Sequence, residues 1–295
     1  MIPRHRYLIR TLLLSAFFLP SETMPATPTP SEAEAKMFAM SEGYELYMGR
    51  WSRLVVPGYA AFAGVRDGER VLDVGTGTGS VASTLAAHLP RSEIVGVDQS
   101  AAFIAYATKN AKSARVRFES GDAQALRFGD ASFDQTMSLL VINFIPDHEK
   151  AILEMRRVTR VGGTVSACVW DYGDGMESLR IFWDEAVRLN PAALPKHERN
   201  MKLSRRGELG ALWRRAGLRD VSEEALVIDQ AFSSFRDYWG PFVTGTGPGG
   251  AYVVSLSDER RRQLELRLRG RLLGGRQDGS FTLKARVWCV KGKVP

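Results

Sequence analysis

Short apolar runs alternate with amphipathic stretches over residues 70 to 170. The apolar runs predict buried parallel strands at residues 70–74, 93–98, 115–119, 133–140 and 163–170. Amphipathic spacing predicts helices at residues 80–88, 101–112 and 148–159. Because strands and helices take turns, we expect βαβ units that form a parallel sheet with helices on both faces.

The second half of the chain has a different pattern. Its spacing predicts helices at residues 176–189, 205–216 and 232–239, a glycine-rich loop at 244–252, and a basic helix at 258–276. Strands are predicted at residues 221–228 and 281–291. We expect this strand pair to complete the sheet and the loop to act as a lid.

The N-terminal segment differs from the rest. Arg4, Arg6 and Arg10 precede an apolar run at residues 12–19, which has the outline of a signal peptide and is too short to span a bilayer. We expect residues 1–39 to be a disordered or signal-like extension. One domain is predicted over 40–295, with a core at about 65–171 and helical insertions with closing strands at about 172–295.

Composition and charge fit a globular protein. The chain has 295 residues, 44% of them hydrophobic, and a formal net charge of +7. This charge admits an anionic partner, but basic residues alternate with acidic ones along most of the chain. In the densest stretch, 258–276, leucines recur every four residues, which is typical of an amphipathic helix with a basic outer face. We therefore predict no stable nucleic-acid partner and no integral membrane span.

The two cysteines, Cys168 and Cys289, lack the spacing of a metal site, so no metal is predicted. They are expected to be free thiols in a reducing compartment. This favours a cytoplasmic location, with export as the alternative if the N-terminal run is a working signal peptide.

A glycine turn follows the first predicted strand. Gly75, Gly77 and Gly79 allow unusual backbone dihedrals and close approach of a ligand. Asp73 precedes them at the strand end, where an anion can pair with a cationic group. In open α/β sheets, ligands bind beyond the carboxyl ends of the strands.

Two further acids follow the next two strands. Asp98 ends the second strand, where a carboxylate can accept both ribose hydroxyls of a nucleoside. Asp122 follows the third strand and can meet an amino group such as that of adenine. Either residue alone could be a helix cap or a turn residue. Three acids at three consecutive strand ends predict a nucleoside-type site.

The chain resembles the type 11 methyltransferase group of class I S-adenosylmethionine-dependent enzymes. The resemblance covers about residues 44–170 and lies in VLDVGTGTGS, GVDQS, GDAQALRF, FDQTMSLLVINFIPD and RRVTRVGGTVSACVW. It implies a Rossmann-like α/β fold with a seven-stranded, mostly parallel sheet and an antiparallel C-terminal strand. It also implies S-adenosyl-L-methionine as the cofactor.

The resemblance assigns cofactor roles to residues of these motifs. It implies that Asp73, Gly75 and Gly77 hold the methionine part and that Thr76 and Gly79 also belong to the cofactor site. Asp98 would hold the ribose, and Asp122 and Ala123 would lie at the adenine with Gln99 beside them. Leu139 and Leu140 would line the methyl-donor pocket. The opening YELYMGRW resembles a segment that folds over the cofactor in related enzymes. Candidate lid and substrate residues are Tyr44, Tyr47, Arg50, Trp51, Asn143, Trp170 and Trp239.

Other functions compete with this interpretation. Residues 77–82 fit a loose G-x-G-x-x-A pattern of NAD(P)-dependent Rossmann oxidoreductases, but that pattern gives Asp73 and Asp122 no role. The basic charge makes an RNA- or DNA-modifying methyltransferase a second alternative. Residues 143–146, however, read N-F-I-P and not the N-P-P-aromatic motif of such enzymes. A non-catalytic cofactor-binding protein is the third alternative.

The predicted reaction is direct SN2 transfer of a methyl group to a small, partly apolar acceptor. The sulfonium cofactor is already activated, so the protein has to align the acceptor and exclude water. A general base is needed only if the acceptor loses a proton. His148, His197 and Asp171 are weak candidates, because His148 opens a helix and His197 sits in a charged, surface-like run. The sequence therefore predicts no specific base.

Overall fold

The computed structural model describes residues 41–295, so the predictions on residues 1–39 lie outside the described residues. Seven strands form one sheet: β1 (Arg70–Val74), β2 (Glu93–Asp98), β3 (Val116–Ser120), β4 (Phe133–Leu139), β5 (Thr159–Trp170), β6 (Arg219–Phe232) and β7 (Phe281–Lys293). Their spatial order is β3-β2-β1-β4-β5-β7-β6.

Helices surround this sheet. They are α1 (Ser41–Tyr44), a π-helical turn (Glu45–Gly49), α2 (Arg50–Ala63), α3 (Ser80–His88), α4 (Ala101–Asn110), α5 (His148–Val158), α6 (Glu177–Leu189), α7 (Glu208–Arg215), α8 (Phe235–Val243), α9 (Gly247–Val254) and α10 (Asp258–Leu273). Short 3₁₀ turns occur at Ile142–Phe144, Pro191–Lys196 and Glu198–Asn200. Among the described helices, none is long and apolar enough to cross a membrane.

Pairing in the sheet confirms the predicted fold class. Strand β1 pairs in parallel with β2 and β4, and β4 pairs in parallel with β5. Strand β7 runs antiparallel between β5 and β6. Central strands are buried on both faces, as the continuous apolar runs predict. The parallel strands therefore bring their carboxyl ends to one edge of the sheet.

The expectation of free cysteines is wrong. Cys168 and Cys289 form a disulfide, with Cα atoms 4.0 Å apart, and both residues are fully buried. They are directly opposite each other in the antiparallel pair of β5 and β7. Their sequence separation of 121 gave no hint of this contact, because only the strand pairing brings them together. The argument from free thiols to a reducing compartment loses its basis.

The expected glycine-rich loop is partly helical. Helix α9 covers Gly247–Val254, and its glycines serve close packing. A Cβ atom on Gly250 would lie 2.6 Å from the carbonyl carbon of Gly245, and one on Gly249 would lie 2.9 Å from the ring of Phe242. The absence of side chains lets this helix pack tightly against α8.

The basic helix α10 turns part of its charge inward. Its Leu264 and Leu268 are fully buried, as the spacing predicts. Arg267 and Arg271, however, bind Glu185 of α6 at 3.1 and 3.0 Å. The face next to α6 is thus neutralised by a nearly buried carboxylate, and the basic surface is smaller than the sequence indicates.

Candidate functional site

A cavity of about 430 Å³ lies at the carboxyl ends of β1, β2 and β4. Ten of the eleven predicted cofactor residues line it: Asp73, Gly75, Thr76, Gly77, Asp98, Gln99, Asp122, Ala123, Leu139 and Leu140. They come from four separate segments of the chain. Parallel strand packing therefore brings together the residues that the sequence motifs single out.

The glycine turn is fixed against the second strand. The backbone N–H groups of Gly75 and Thr76 both donate to the carbonyl oxygen of Val97, at 2.7 and 2.9 Å. Gly75 has φ +72°, and a Cβ atom there would lie 2.4 Å from a methyl carbon of Val141. Glycine is required at this position by both conformation and space.

Gly79 is the eleventh residue and does not line the cavity. It has φ +87° and precedes α3, where a Cβ atom would lie 2.9 Å from the ring of Phe118. The structure thus places Gly79 where it shapes the helix start and the packing behind the turn.

Asp73 is a buried carboxylate with one unsatisfied oxygen. Its Oδ2 accepts hydrogen bonds from the Thr76 hydroxyl at 2.6 Å and from the Ala82 N–H at 3.3 Å. Its Oδ1 is buried without a hydrogen-bond partner among the described residues. Burial raises the pKa of Asp73 to about 7. A cationic group in the cavity would satisfy this oxygen and favour the ionised form.

Asp98 links the turn to the end of β2. Its two oxygens accept from the backbone N–H groups of Gly77 at 2.9 Å and Ser100 at 2.8 Å. Burial raises its pKa above the usual range. The remaining lone pairs of this carboxylate are available to a ligand in the cavity, since each oxygen can accept more than one hydrogen bond.

Asp122 lies at the exposed rim. It accepts from the backbone N–H of Gln124 at 2.8 Å, which is the turn geometry that aspartate favours.

Further along the rim, Leu140 has φ +64°, a conformation that is costly for a branched side chain. Its N–H donates to the carbonyl oxygen of Cys168. This backbone conformation directs the chain away from β4 next to the cavity.

The predicted lid residues separate into two groups. Tyr44 and Tyr47 line the cavity, and the Tyr44 ring lies 5.5 Å from that of Phe103. Arg50 and Trp51 do not line it. Arg50 binds Asp237 at 2.7 Å, with its guanidinium group 4.2 Å from the Trp51 ring centroid. This pair therefore anchors α2 to α8 behind the cavity.

The other predicted substrate residues are also divided. Trp170 lines the cavity, whereas Asn143 and Trp239 do not. Trp239 packs against Phe242 with ring centroids 6.0 Å apart. Asn143 is buried, and neither polar atom of its side chain has a partner among the described residues.

None of the three weak base candidates lines the cavity. Asp171 is paired with Arg286 at 2.7 Å, and His148 shares a hydrogen bond with the carbonyl of Ile142. The interpretation of His197 as a surface residue is wrong, because it is only 3% exposed and stacks on Trp183. Burial lowers the pKa of His197 to about 4, so its imidazole is neutral at physiological pH.

The sequence analysis missed Glu198, which follows His197 and lines the cavity. It is 5% exposed, and its Oε2 accepts a hydrogen bond from Trp183 Nε1 at 2.6 Å. The surrounding segment KHERN reads as charged and solvent-facing. No local sequence signal reveals this site, because the 3₁₀ turns after α6 turn the glutamate inward.

Comparison with known proteins agrees with this architecture. Residues 72–167 match the family described as a methyltransferase domain. This matched segment is about a third of the chain. It begins in β1 and ends in β5, so it includes the glycine turn and the three acidic residues at the strand ends.

A demethylmenaquinone methyltransferase of Roseiflexus castenholzii is 33% identical over 154 residues, which cover 50% of this chain and 64% of the relative. The chain therefore spans less than two thirds of that relative's length. Phosphoethanolamine N-methyltransferase 2 of Haemonchus contortus, in complex with phosphomonomethylethanolamine and S-adenosylhomocysteine, superposes with a TM-score of 0.55 at 19% identity, covering 92% of this chain and 62% of that one. The YcgJ protein of Bacillus subtilis gives 0.51 at 22% identity, with coverage of 81% and 98%. These two structures share the fold.

Proposed function

We propose that this protein is an S-adenosylmethionine-dependent methyltransferase that transfers a methyl group to a small-molecule acceptor by direct displacement. The observation that carries this proposal is the cavity at the strand ends, where a glycine turn and three acidic residues meet and where Asp73 has an unsatisfied oxygen. The match of residues 72–167 to a methyltransferase domain supports it.

The residues present fit this cofactor. The α-ammonium group of its methionine part would donate a hydrogen bond to Asp73 Oδ1. Gly75 and Gly77 have no side chains, so the backbone of the turn could approach the cofactor closely. Asp98 would accept hydrogen bonds from the ribose hydroxyls, and Asp122 would lie at the adenine. When bound, the cofactor supplies an activated methyl group, so the protein's task is to orient the acceptor and exclude water.

A small acceptor is favoured by the rest of the cavity. Beyond the predicted cofactor residues, its lining includes Tyr47, Trp170 and Tyr172, which offer apolar and aromatic surface. The relative from Roseiflexus carries the name of a quinone methyltransferase, which supports a small, partly apolar acceptor but covers only half of this chain. A cytoplasmic location stays a prediction. Its remaining support is that this cofactor is made in the cytoplasm, because the disulfide removes the argument from free thiols.

Calorimetry with the full chain tests the cofactor assignment. We expect binding of S-adenosylmethionine and none of NAD. Binding of NAD alone would refute the methyltransferase proposal and favour the oxidoreductase. The control variant Asp67→Ala should bind S-adenosylmethionine as the wild type does, since Asp67 pairs with Arg91 away from the cavity.

Transfer of label from methyl-labelled cofactor tests the acceptor class. We expect label to enter small molecules of a metabolite extract, with products identified by mass spectrometry. If tRNA, rRNA or DNA were labelled and the extract were not, the acceptor would be a nucleic acid and the proposed small-molecule class would be wrong.

A further inference from the structure

A second buried carboxyl group, Glu198, lines the cavity and has no role in cofactor binding assigned above. The 3₁₀ turn Glu198–Asn200 places it next to α6, where Trp183 donates to its Oε2. Among the residues that the structure describes, no Lys, Arg or His side chain forms an ion pair with it. Arg199, its neighbour in sequence, points instead toward Asp184, at 3.9 Å.

The groups around Glu198 are hydrogen-bond donors and aromatic rings. Burial, and after it the negative charge of Glu198, raises the pKa of Tyr47 in the π-helical turn, and its buried hydroxyl has no hydrogen-bond partner among the described residues. Helix α9 closes this side with Gly247, where a Cβ atom would lie 2.6 Å from the Tyr47 ring. Apart from Asp73, Asp98 and Asp122, which are assigned to the cofactor, Glu198 is the one carboxyl group among the described residues that lines the cavity.

Burial explains why this carboxyl group is suited to proton transfer. It raises the pKa of Glu198 to about 7, against the hydrogen bond from Trp183, which lowers it. Tyr47, which lines the cavity, and Tyr238 stay neutral, because burial raises the pKa values of both. A base is most efficient when its pKa lies near the working pH.

We propose that Glu198 is the general base that takes the proton from a hydroxyl or amino group of the methyl acceptor. This inference rests on the proposed methyltransferase function. In the step, a lone pair of the acceptor oxygen or nitrogen forms the new bond to the methyl carbon. The bond from that carbon to the sulfonium sulfur breaks and leaves a neutral thioether. The acceptor's proton passes to the Glu198 carboxylate, so charge and atoms balance.

The proposal also defines the acceptor chemistry. The acceptor should present an O–H or N–H group to Glu198 and apolar, aromatic surface to Trp170 and the tyrosines. A hydroxylated aromatic compound and an aromatic amine share this chemistry. We therefore choose 2-naphthol and 1-naphthylamine as defined probes, together with a metabolite extract.

The test compares the full-length wild type with Glu198→Gln, which keeps an oxygen for the Trp183 hydrogen bond but cannot take the proton. At S-adenosylmethionine concentrations that saturate the protein at each pH, we expect the variant to lose about 100-fold or more in kcat/KM for the acceptor and to lose the rise in rate between pH 6 and 8. Its affinity for S-adenosylmethionine should be unchanged. Glu69→Gln is the matched control, because Glu69 is also buried but is bonded to Gln135 away from the cavity.

A second variant keeps the test decisive if Glu198→Gln folds poorly. Trp183→Phe removes the hydrogen bond that stabilises the carboxylate, so the midpoint of the pH profile should move upward. A purely structural role for Glu198 would lower stability without moving this midpoint.

The outcomes are distinguishable. Transfer by Glu198→Gln at the wild-type rate and with the wild-type pH profile would overturn the inference while leaving the methyltransferase assignment intact. A parallel loss of cofactor affinity would also overturn it, because Glu198 would then act on the cofactor. No label transfer by the wild type to any probe or extract would overturn the proposed function, and the inference with it.

Discussion

Ionisation of Asp73 should control cofactor affinity in the neutral pH range. Its Oδ1 has no hydrogen-bond partner among the described residues, and burial raises the pKa of Asp73 to about 7. Only the ionised form can pair with the α-ammonium group of S-adenosylmethionine. Binding should therefore draw Asp73 into its charged state and release its proton.

The magnitude follows from the pKa. A group with a pKa of about 7 is about nine-tenths ionised at pH 8 and about one-tenth ionised at pH 6. The dissociation constant should consequently be about tenfold larger at pH 6 than at pH 8, or about 1.4 kcal/mol. At pH 7, binding should release about half a proton for each cofactor molecule.

Calorimetry at pH 6, 7 and 8, in buffers with different ionisation enthalpies, measures both quantities. Asp73→Asn should bind more weakly at pH 8 and show neither the pH dependence nor the proton release. Glu198→Gln should keep both, because that residue is assigned to the acceptor. A flat affinity of the wild type between pH 6 and 8, or an unchanged pH dependence in Asp73→Asn, would refute the pairing of Asp73 with the cofactor.

Three further predictions concern the same sheet edge and its support. Asp98→Ala should weaken cofactor binding about 100-fold or more while the protein stays folded, as calorimetry and circular dichroism would show, and unchanged affinity would disprove the ribose assignment. Gly75→Ala should lower both stability and cofactor affinity, measured by thermal unfolding and calorimetry, because its Cβ would meet Val141 at 2.4 Å, and a fully stable variant would contradict the close packing. Reducing the disulfide should destabilise the fold by up to about 5 kcal/mol, since it links Cys168 to Cys289 across a sequence separation of 121. Denaturant unfolding with and without reductant measures this, and identical curves for verified oxidised and reduced protein would contradict it.

The cofactor half of the site could be predicted from sequence because its signals are local. Each acidic residue follows its own strand, and the glycines of the turn stand in one short segment. The βαβ pattern then requires that the carboxyl ends of neighbouring strands meet. Asp73, Asp98 and Asp122 accordingly line one cavity, although their contacts with the cofactor remain predictions.

The acceptor half depends on contacts between distant parts of the chain. Tyr47, Trp170 and Glu198 come from an N-terminal turn, a strand and a late 3₁₀ turn, and no periodic pattern connects them. Local sequence also misplaced His197, since a charged neighbourhood resembles solvent-facing sequence until α6 packs over it.

The cysteines show the same division. Hydrophobic periodicity determined that residues 163–170 and 281–291 form strands, because alternating or continuous apolar positions must be buried. Which strand lies beside which was decided by tertiary structure, where β7 inserts antiparallel next to β5 and sets Cys168 opposite Cys289. The sequence by itself thus determined the strands, the turn and the donor-side acids. Only the packing of segments far apart in the chain decided the disulfide and the buried carboxyl group at the acceptor side, since burial and pairing are properties of the whole fold.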